Sequence, residues 1–266
     1  MKDHEIVIVN DNPEVNLEKD LAVYKNVILI QNNKNLGFGS AVHTGIMKAQ
    51  NDFIVLLNDD VILHDESYND ALIYFKKDAR LFAAGFAQKE KNGEIVGKNT
   101  IFWKRGLLFH KKNNTAKGIT AWAEGGACMI DKEKYLMLGG FSHVYSPFYW
   151  EDIDLSYRAW KSGFSVLFDS HIVMTHHHES TIAAHFDKRF INTIAFRNQF
   201  LFIWKNITDG ALIINHWLFL PFNLVYYLLK GRPEFIMGFL KALPYVLAMK
   251  KTAYPLSDAK VLDKFK

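Results

Sequence analysis

The sequence predicts an α/β fold in which helices cover a sheet on both faces. Short, continuously apolar runs recur along the chain, as in strands that are buried on both sides, and helical patterns separate them. Polar clusters follow or interrupt this pattern at residues 58–60, 151–152 and 176. Crowding like charges destabilises a fold, and a chain tolerates it more readily where the groups serve a function. The acidic and imidazole groups at these strand ends therefore indicate a functional site at the carboxyl edge of the sheet.

The elements are predicted in chain order from apolar periodicity and from turn residues. A helix that follows the second strand begins with Ser40 as its cap, and Gly163 ends the helix that follows the acidic cluster. Residues 88–120 are polar and read as loops and short strands over the site. The predicted strands are residues 6–9, 27–30, 53–57, 164–168 and 172–175, and the predicted helices are residues 40–50, 66–77 and 152–161.

Composition excludes several classes of protein. The 266 residues are 49% hydrophobic and 23% charged, as in a folded protein. The net charge of +4 is small and no arginine-rich run stands out, so we expect no nucleic-acid partner. The single cysteine, Cys128, excludes an internal disulfide framework and is predicted to be a small buried residue rather than a nucleophile. We expect no signal peptide, because residues 1–5 lead directly into a strand pattern.

The character of the chain changes after about residue 205. Residues 211–229 and 235–249 are mostly apolar, with Lys230, Arg232, Lys241, Lys250 and Lys251 beside or within them. This combination favours helices that lie in a membrane interface. A membrane span or re-entrant pair, and a buried helical pair or dimer surface in a homo-oligomer, remain open. We therefore expect two domains, residues 1–205 and 206–266.

Several segments together carry a family resemblance. The motifs at residues 35–39 (Asn-Leu-Gly-Phe-Gly), 57–60, 125–128, 139–141 and 150–152, and the region of His176, occur in the order found in family-2 glycosyltransferases. Roughly residues 4–205 resemble the rhamnosyltransferase-like branch of that family. The resemblance implies a GT-A-like mixed sheet flanked by helices, with a membrane-apposed helical segment at the C-terminus. It also implies an inverting enzyme that transfers a sugar from a nucleotide diphosphate donor.

The resemblance implies further expectations about the acceptor and the cell. The acceptor is expected to be a glycan or a lipid-linked molecule, in the biosynthesis of a surface polysaccharide. The enzyme is expected in the cytoplasm, peripheral at the inner face of the cell membrane.

Residues 58–60 are predicted to hold a divalent cation, Mg²⁺ or Mn²⁺, against the leaving diphosphate. The resemblance assigns the metal ligand to Asp60 and leaves Asn58, an uncharged side chain, at the first acidic position of the family motif. An ordinary turn after a strand is the alternative. The resemblance places a histidine near the metal, and His176 fits best, with His178 second. A separate zinc site is the rival interpretation for these histidines.

The acidic pair that opens a predicted helix, Glu151 and Asp152, is the candidate catalytic group. The resemblance matches Asp152 to the base that takes the proton of the acceptor hydroxyl, and Glu151 to a residue that orients the acceptor. Asp152 could also be a helix N-cap. Asp154 and Arg158 are spaced as a helical ion pair, although Arg158 could instead reach a phosphate.

The remaining candidates lie on the nucleotide-sugar side of the expected site. The glycines at residues 37–39 let a ligand approach the backbone before a helix N-terminus, although a tight turn would explain them as well. A dinucleotide fingerprint fails because Val42 stands where its third glycine should be. The aromatic residues Trp122, Phe148, Tyr149 and Trp150 form either a surface for a sugar ring or core packing. The predicted nucleotide-sugar ligands are Asp11, Asn35, Gly37, Asn58, Asp59, Gly126 and Arg158.

One departure from the family pattern concerns the start of the chain. The first strand-helix unit of the family, on the order of 30 residues, has no counterpart before residues 6–9. This leaves an alternative function, a non-catalytic remnant that binds a partner or a glycan, and it predicts an open nucleoside pocket. A nicotinamide oxidoreductase is excluded by the broken fingerprint.

Overall fold

A computed structural model describes residues 4–176, 186–247, 249 and 251–266. Its strands are Ile6–Asn10 (β1), Val27–Gln31 (β2), Phe53–Leu57 (β3), Val61–Leu63 (β4), Leu81–Lys89 (β5), Ile95–Val96 (β6), Asn99–Lys104 (β7), Leu107–Lys112 (β8), Gly118–Ile119 (β9), Ala127–Asp131 (β10) and Ser165–His176 (β11). Its α-helices are Glu18–Leu21 (α1), Phe38–Lys48 (α2), Leu72–Lys77 (α3), Lys132–Met137 (α4), Glu151–Lys161 (α5), Lys188–Asn206 (α6), Gly210–Leu229 (α7), Glu234–Ala242 (α8) and Asp258–Leu262 (α9).

A mixed sheet forms the centre of the molecule, in the order β3-β10-β5-β11-β4, with β6 added to β5 and β9 added to β11. β10 is antiparallel to β3 and to β5, and β5 is parallel to β11. β3, β5 and β11 therefore end at the same edge, where β10 begins. The predicted α/β class, with a mixed sheet between helices, is confirmed.

Two smaller sheets complete the strand pairing. β1 and β2 form a parallel pair, and β7 and β8 form an antiparallel hairpin. The hairpin lies within residues 88–120, the stretch predicted as loops and short strands. The two strands predicted at 164–168 and 172–175 are one strand, β11, whose pairing with β5 shifts register between Asp169 and Val173. A bulge of this kind keeps one strand continuous across a local irregularity.

The C-terminal third shares a hydrophobic core with the rest of the chain. Phe200, Ile207 and Phe235 belong to the same buried cluster as Leu155 and Trp160 of α5. The boundary expected at residue 205 therefore does not separate two independent cores, because α6 packs against α5, β8 and α8 and its buried residues belong to the same cluster as those of α5.

Two ion pairs, each with a fully buried carboxylate, tie α5 to this C-terminal part. Lys161 Nζ lies 2.7 Å from Asp258 Oδ1, and both side chains are fully buried. Lys205 Nζ lies 2.8 Å from Asp154 Oδ1. Because a buried charge that loses its partner is strongly destabilising, these pairs hold α5 firmly between the sheet and the C-terminal helices.

Candidate functional site

The carboxyl edge of the central sheet brings together three of the predicted clusters. Residues 58–60 follow β3, His176 ends β11, and residues 124–126 precede β10. The Asn58 amide N–H donates to the Gly126 carbonyl at 3.1 Å, which continues the ladder between β3 and β10 beyond the strands. The sheet itself thus places these polar groups side by side.

Gly126 has a defined role in this arrangement. A Cβ atom at this position would lie 2.6 Å from Asn58 Nδ2, so only glycine lets the Asn58 side chain lie against the turn. The structure therefore shows Gly126 as the support of Asn58. A direct contact of Gly126 with a nucleotide sugar stays a prediction, as it does for Asn58.

Asp60 and His176, the two residues that the resemblance assigns to the metal, lie side by side. Asp60 Oδ1 lies 3.2 Å from His176 Nε2, and the His176 side chain is nearly buried. Asp60 Oδ1 is itself buried and accepts no hydrogen bond from the described residues. A carboxylate oxygen and an imidazole nitrogen are ligands that suit a divalent cation such as Mn²⁺, so the donor set fits a metal.

Asp60 and His176 supply two candidate ligands, fewer than a complete metal site needs. No group of three or more His, Cys, Asp or Glu side chains with metal-site geometry occurs within the described residues. Asp59 is exposed at the turn. The second-choice histidine, His178, lies outside the described residues.

The acidic pair Glu151 and Asp152 lies at the N-terminus of α5. The helix begins after two non-glycine residues with positive φ, Tyr149 at 71° and Trp150 at 79°. The Asn198 side-chain amide holds this strained turn by donating to the carbonyls of Phe148 and Tyr149 at 2.8 and 2.9 Å. Strain retained in this way is typical of functional sites.

Asp152 is the second residue of α5 and not its N-cap, which is Trp150. Its Oδ1 accepts from the Ile153 N–H at 2.8 Å, and the Gly125 backbone also donates to its carboxylate. Burial, and then the negative charge of Glu124, raise the pKa of Asp152 to about 7 in spite of these donors. A carboxylate with a pKa near neutrality is suited to act as a general base.

Glu151 is perturbed in the same direction. Burial, followed by the charge of Asp152, raises the pKa of Glu151 well above its usual value. Its Oε2 is buried and has no hydrogen-bond partner within the described part of the chain. Glu151 also lines a shallow cleft together with Gly37, Ser40 and His143, so the cleft joins the glycine turn before α2 to the first residue of the acidic pair.

Glu124 is a site residue that the sequence interpretation missed. It precedes the Gly125–Gly126 turn, and its Oε1 accepts a hydrogen bond from Asn99 Nδ2 at 2.8 Å while Gln88 donates to its Oε2. Its position beside a recognised glycine motif was the available signal, but only the fold shows that it faces Asp152.

Arg158 was expected to contact a nucleotide sugar, but the structure places its side chain inside the protein. Its guanidinium is buried, lies 2.7 Å from Asp154 Oδ2, and donates to the carbonyls of Leu138 and Gly140. Burial alone would raise the pKa of Asp154, but the ion pairs with Arg158 and Lys205 lower this pKa to about 2. Arg158 therefore stabilises α5 from within, as the helical ion-pair interpretation proposed.

The predicted nucleoside-side residues form a loop before α2. Asp11 accepts hydrogen bonds from Asn32 Nδ2 and from the N–H groups of Leu36 and Gly37, at 2.8 to 3.0 Å. Asn35 Oδ1 accepts from the same Gly37 N–H at 3.0 Å. Asp11 thus shapes the loop, while nucleoside contact by Asp11, Asn35 or Gly37 stays a prediction.

The aromatic residues near the site divide into two groups. Trp122, Phe148 and Trp150 are buried, and Tyr149 is 40% exposed. Only Tyr149 therefore presents a substantial surface to a ligand, and core packing explains the other three. Cys128 is buried as predicted, and burial strongly raises the pKa of its thiol.

The fold, with acidic groups at the carboxyl edge of its mixed sheet, is that of the GT-A glycosyltransferases. The profile of glycosyl transferase family 2 matches residues 1–136, slightly more than half of the chain. The chain belongs to glycosyltransferase family 2. The rhamnosyltransferase-like branch stays a prediction, and none of the curated proteins matches this sequence.

Solved structures with similar folds are distant in sequence. GalNAc-T7 with UDP, GalNAc and Mn²⁺ aligns at 15% identity and a TM-score of 0.62, over 95% of this chain and 52% of the other. Residues 1–349 of S. aureus TarS with UDP-GlcNAc align at 14% identity and a TM-score of 0.57, over 91% of this chain and 72% of the other. The mannosyltransferase PcManGT of Pyrobaculum calidifontis with GDP-Man and Mn²⁺ aligns at 12% identity and a TM-score of 0.50, over 93% of this chain and 67% of the other. This chain thus spans about half the length of the GalNAc-T7 structure.

Proposed function

We propose that this protein is an inverting glycosyltransferase that moves a sugar from a nucleotide diphosphate donor to an acceptor hydroxyl. One observation carries the proposal: the Gly125–Gly126 turn contacts Asp152 on one side and Asn58 on the other, two residues before Asp60 and its partner His176. A candidate base and a candidate metal-binding pair therefore flank a single turn.

In the proposed reaction Asp152 takes the proton of the acceptor hydroxyl. The acceptor oxygen forms a bond to the anomeric carbon on the face opposite the diphosphate, and the bond between that carbon and the diphosphate oxygen breaks. One displacement of this kind inverts the anomeric configuration. Burial beside Glu124 raises the basicity of Asp152, and the N–H groups of Gly125 and Ile153 hold its carboxylate in place.

The donor side is proposed to involve Asp60 and His176. These two residues would hold Mg²⁺ or Mn²⁺, which when bound neutralises negative charge on a leaving diphosphate. The buried Oδ1 of Asp60, which accepts no hydrogen bond from the described residues, supports this assignment. The similar structures that contain nucleotide sugars or Mn²⁺ make such a donor the natural first choice.

The acceptor and the pathway are proposed on chemical grounds alone. We take the acceptor to be a glycan or a lipid-linked molecule, in the biosynthesis of a surface polysaccharide. Glu151, buried next to Asp152 and bordering the cleft, is the proposed contact to an acceptor hydroxyl.

The test is release of nucleoside diphosphate from a panel of UDP-, GDP- and dTDP-sugars, with and without sugar acceptors. We expect one donor class to be turned over, with a product of inverted configuration by NMR. The matched control is Glu133→Gln, an exposed carboxylate on α4, which should turn over donor as the wild type does. Binding of nucleotide sugar without any turnover, in the wild type and in Asp152→Asn alike, would instead identify a non-catalytic binding protein.

A further inference from the structure

α7 exposes one complete face that is apolar along its whole length. The exposed side chains recur at helical spacing over about 22 Å, from Ile214 to Leu229. Phe222 is 72% exposed and Leu229 is 82% exposed. No charged residue occurs between Asp209 and Lys230. We define this docking face by Ile214, Trp217, Leu218, Phe222, Val225, Tyr226, Leu228 and Leu229.

The opposite face of α7 is packed and carries the polar residues of the helix. The buried His216 shares hydrogen bonds with Trp204 Nε1 at 3.0 Å and with the Gly106 carbonyl at 2.6 Å. Asn223 Nδ2 donates to the Arg105 carbonyl at 2.9 Å. α7 is the one helix in the described chain that is long and apolar enough to cross a membrane. A span would carry these hydrogen-bonded contacts and the tip of the β7–β8 hairpin into hydrocarbon, which is costly.

The hairpin tip places positive charge beside the docking face. Trp103 Nε1 donates to Asn215 Oδ1 at 2.8 Å, and together with the contacts at residues 105 and 106 this fixes the tip along one side of α7. Lys104 and Arg105 at the tip are exposed. Two further basic residues, Lys230 and Arg232, follow the end of α7. Arg232 Nε lies 3.7 Å from Glu234 Oε2.

We propose that the docking face of α7 and the tip of the β7–β8 hairpin bind the surface of a bilayer that contains anionic phospholipid. The combination of a wide apolar face, exposed Trp and Tyr side chains and adjacent basic residues is that of an interfacial helix. A protein partner would require a polar rim and several hydrogen bonds. The docking face offers only the Trp217 indole and the Tyr226 hydroxyl as polar groups.

The same hairpin connects the docking face to the acidic site. His110 on β8 packs edge-on against Trp122 and Trp150, with ring centroids 5.3 and 5.5 Å apart, and Trp150 immediately precedes Glu151. An acceptor held in the bilayer would therefore meet the side of the site that carries the acidic pair. This last step rests on the proposed function, whereas lipid binding does not.

The experiment is flotation of the full chain with vesicles, without donor. One set of vesicles is phosphatidylcholine and the other contains phosphatidylglycerol as well. We expect stronger binding to the anionic vesicles, and high salt should weaken this binding without abolishing it. Phe222→Glu should lower the partition coefficient roughly tenfold or more, and Leu218→Glu, on the same face, should do the same.

Two matched controls separate this face from general surface properties. Met137 on α4 is 69% exposed, a fraction similar to that of Phe222, and Met137→Glu should bind as the wild type does. Lys104→Glu should lower binding to anionic vesicles roughly fivefold or more, while Lys19→Glu on α1 should not. Thermal melting confirms that each variant is folded.

Three results would overturn the proposal. The first is wild-type protein that binds neither type of vesicle, and the second is wild-type binding by both Phe222→Glu and Leu218→Glu. The third is a dimer by light scattering that Phe222→Glu converts to a monomer, without any vesicle binding. Donor turnover measured in parallel in detergent-free buffer shows whether a failure concerns this surface or the catalytic assignment.

Discussion

Replacing Asp152 with asparagine should slow sugar transfer and at the same time stabilise the protein. A carboxyl group whose pKa is raised on folding binds more protons in the folded state than in the unfolded state between the two pKa values. The free energy of unfolding therefore falls as pH rises from about 4 towards about 8. Asp152→Asn removes this loss, because the amide carries no charge to desolvate.

The size of the effect follows from the structure. Folding raises the pKa of Asp152 from its usual 3.8 to about 7. Each pKa unit corresponds to about 1.4 kcal/mol, so the carboxylate destabilises the folded protein by up to about 4 kcal/mol above pH 8. Asp152 as a residue is half-buried rather than fully enclosed, so solvent screens part of this energy. We expect the melting temperature of Asp152→Asn to be about 5 °C higher than that of the wild type at pH 8, and similar near pH 4.

The rate should change in the opposite direction. Loss of a general base lowers turnover by roughly a hundredfold or more, and the donor dissociation constant should remain close to that of the wild type. Both are measured on the same preparations, by product release and by titration calorimetry. Glu124→Gln is the companion variant: it removes the charge that helps to raise the pKa of Asp152, and should extend kcat/KM towards lower pH. Turnover of Asp152→Asn close to wild type, or a pH profile that Glu124→Gln leaves unchanged, would refute the reasoning.

Three further predictions follow from the packing of the site and its support. Asp60→Ala should abolish Mn²⁺ binding in calorimetry, and EDTA should remove activity that Mn²⁺ or Mg²⁺ restores; full activity in chelator would remove the metal from the reaction. Gly126→Ala should displace the Asn58 amide, because the new Cβ would lie 2.6 Å from its nitrogen, and should weaken donor binding roughly tenfold. Lys161→Met should cost about 3–5 kcal/mol in urea unfolding, because it leaves the buried charge of Asp258 without its ion-pair partner.

Matched variants show whether these effects are specific. Gly210→Ala adds a methyl group that meets no atom within 4 Å and should leave donor affinity unchanged. Lys266→Met breaks an exposed ion pair with Asp263 and should change stability by less than about 1 kcal/mol. If Gly210→Ala weakens donor binding as much as Gly126→Ala, the assigned role of Asn58 is wrong. If Lys161→Met costs no more than Lys266→Met, the buried pair does not hold α5.

The sequence alone predicted the elements with the strongest local signals. β1, β2 and β3 are short runs of β-branched and large apolar residues bounded by turn residues, and each lies within one residue of its predicted end. The helix that follows the acidic pair was also predicted, since Gly163 ends its pattern. α2 begins at Phe38 rather than after Ser40, because Gly37 and not Ser40 occupies its N-cap.

The central strand β5 was absent from the prediction. Its residues include Ala83, Ala84, Gly85 and Ala87, which have low strand propensity and no alternating pattern. The strand is nonetheless buried from Leu81 to Gln88, because it lies between β10 and β11 in the middle of the sheet. Neighbours distant in the sequence therefore decided that this segment is a strand.

The sequence by itself predicted where polar groups collect at the edge of the sheet, and the tertiary structure decided which of them lie together. The resemblance to family 2 pointed to Asp60, His176 and the Glu151–Asp152 pair, and their roles stay predictions. Spacing did not show that Arg158 faces the core, that Glu124 faces Asp152, or which face of the mostly apolar α7 is covered. Side-chain direction and burial depend on elements that meet only in the folded chain, because charges and apolar surfaces are paired or exposed by packing rather than by sequence proximity.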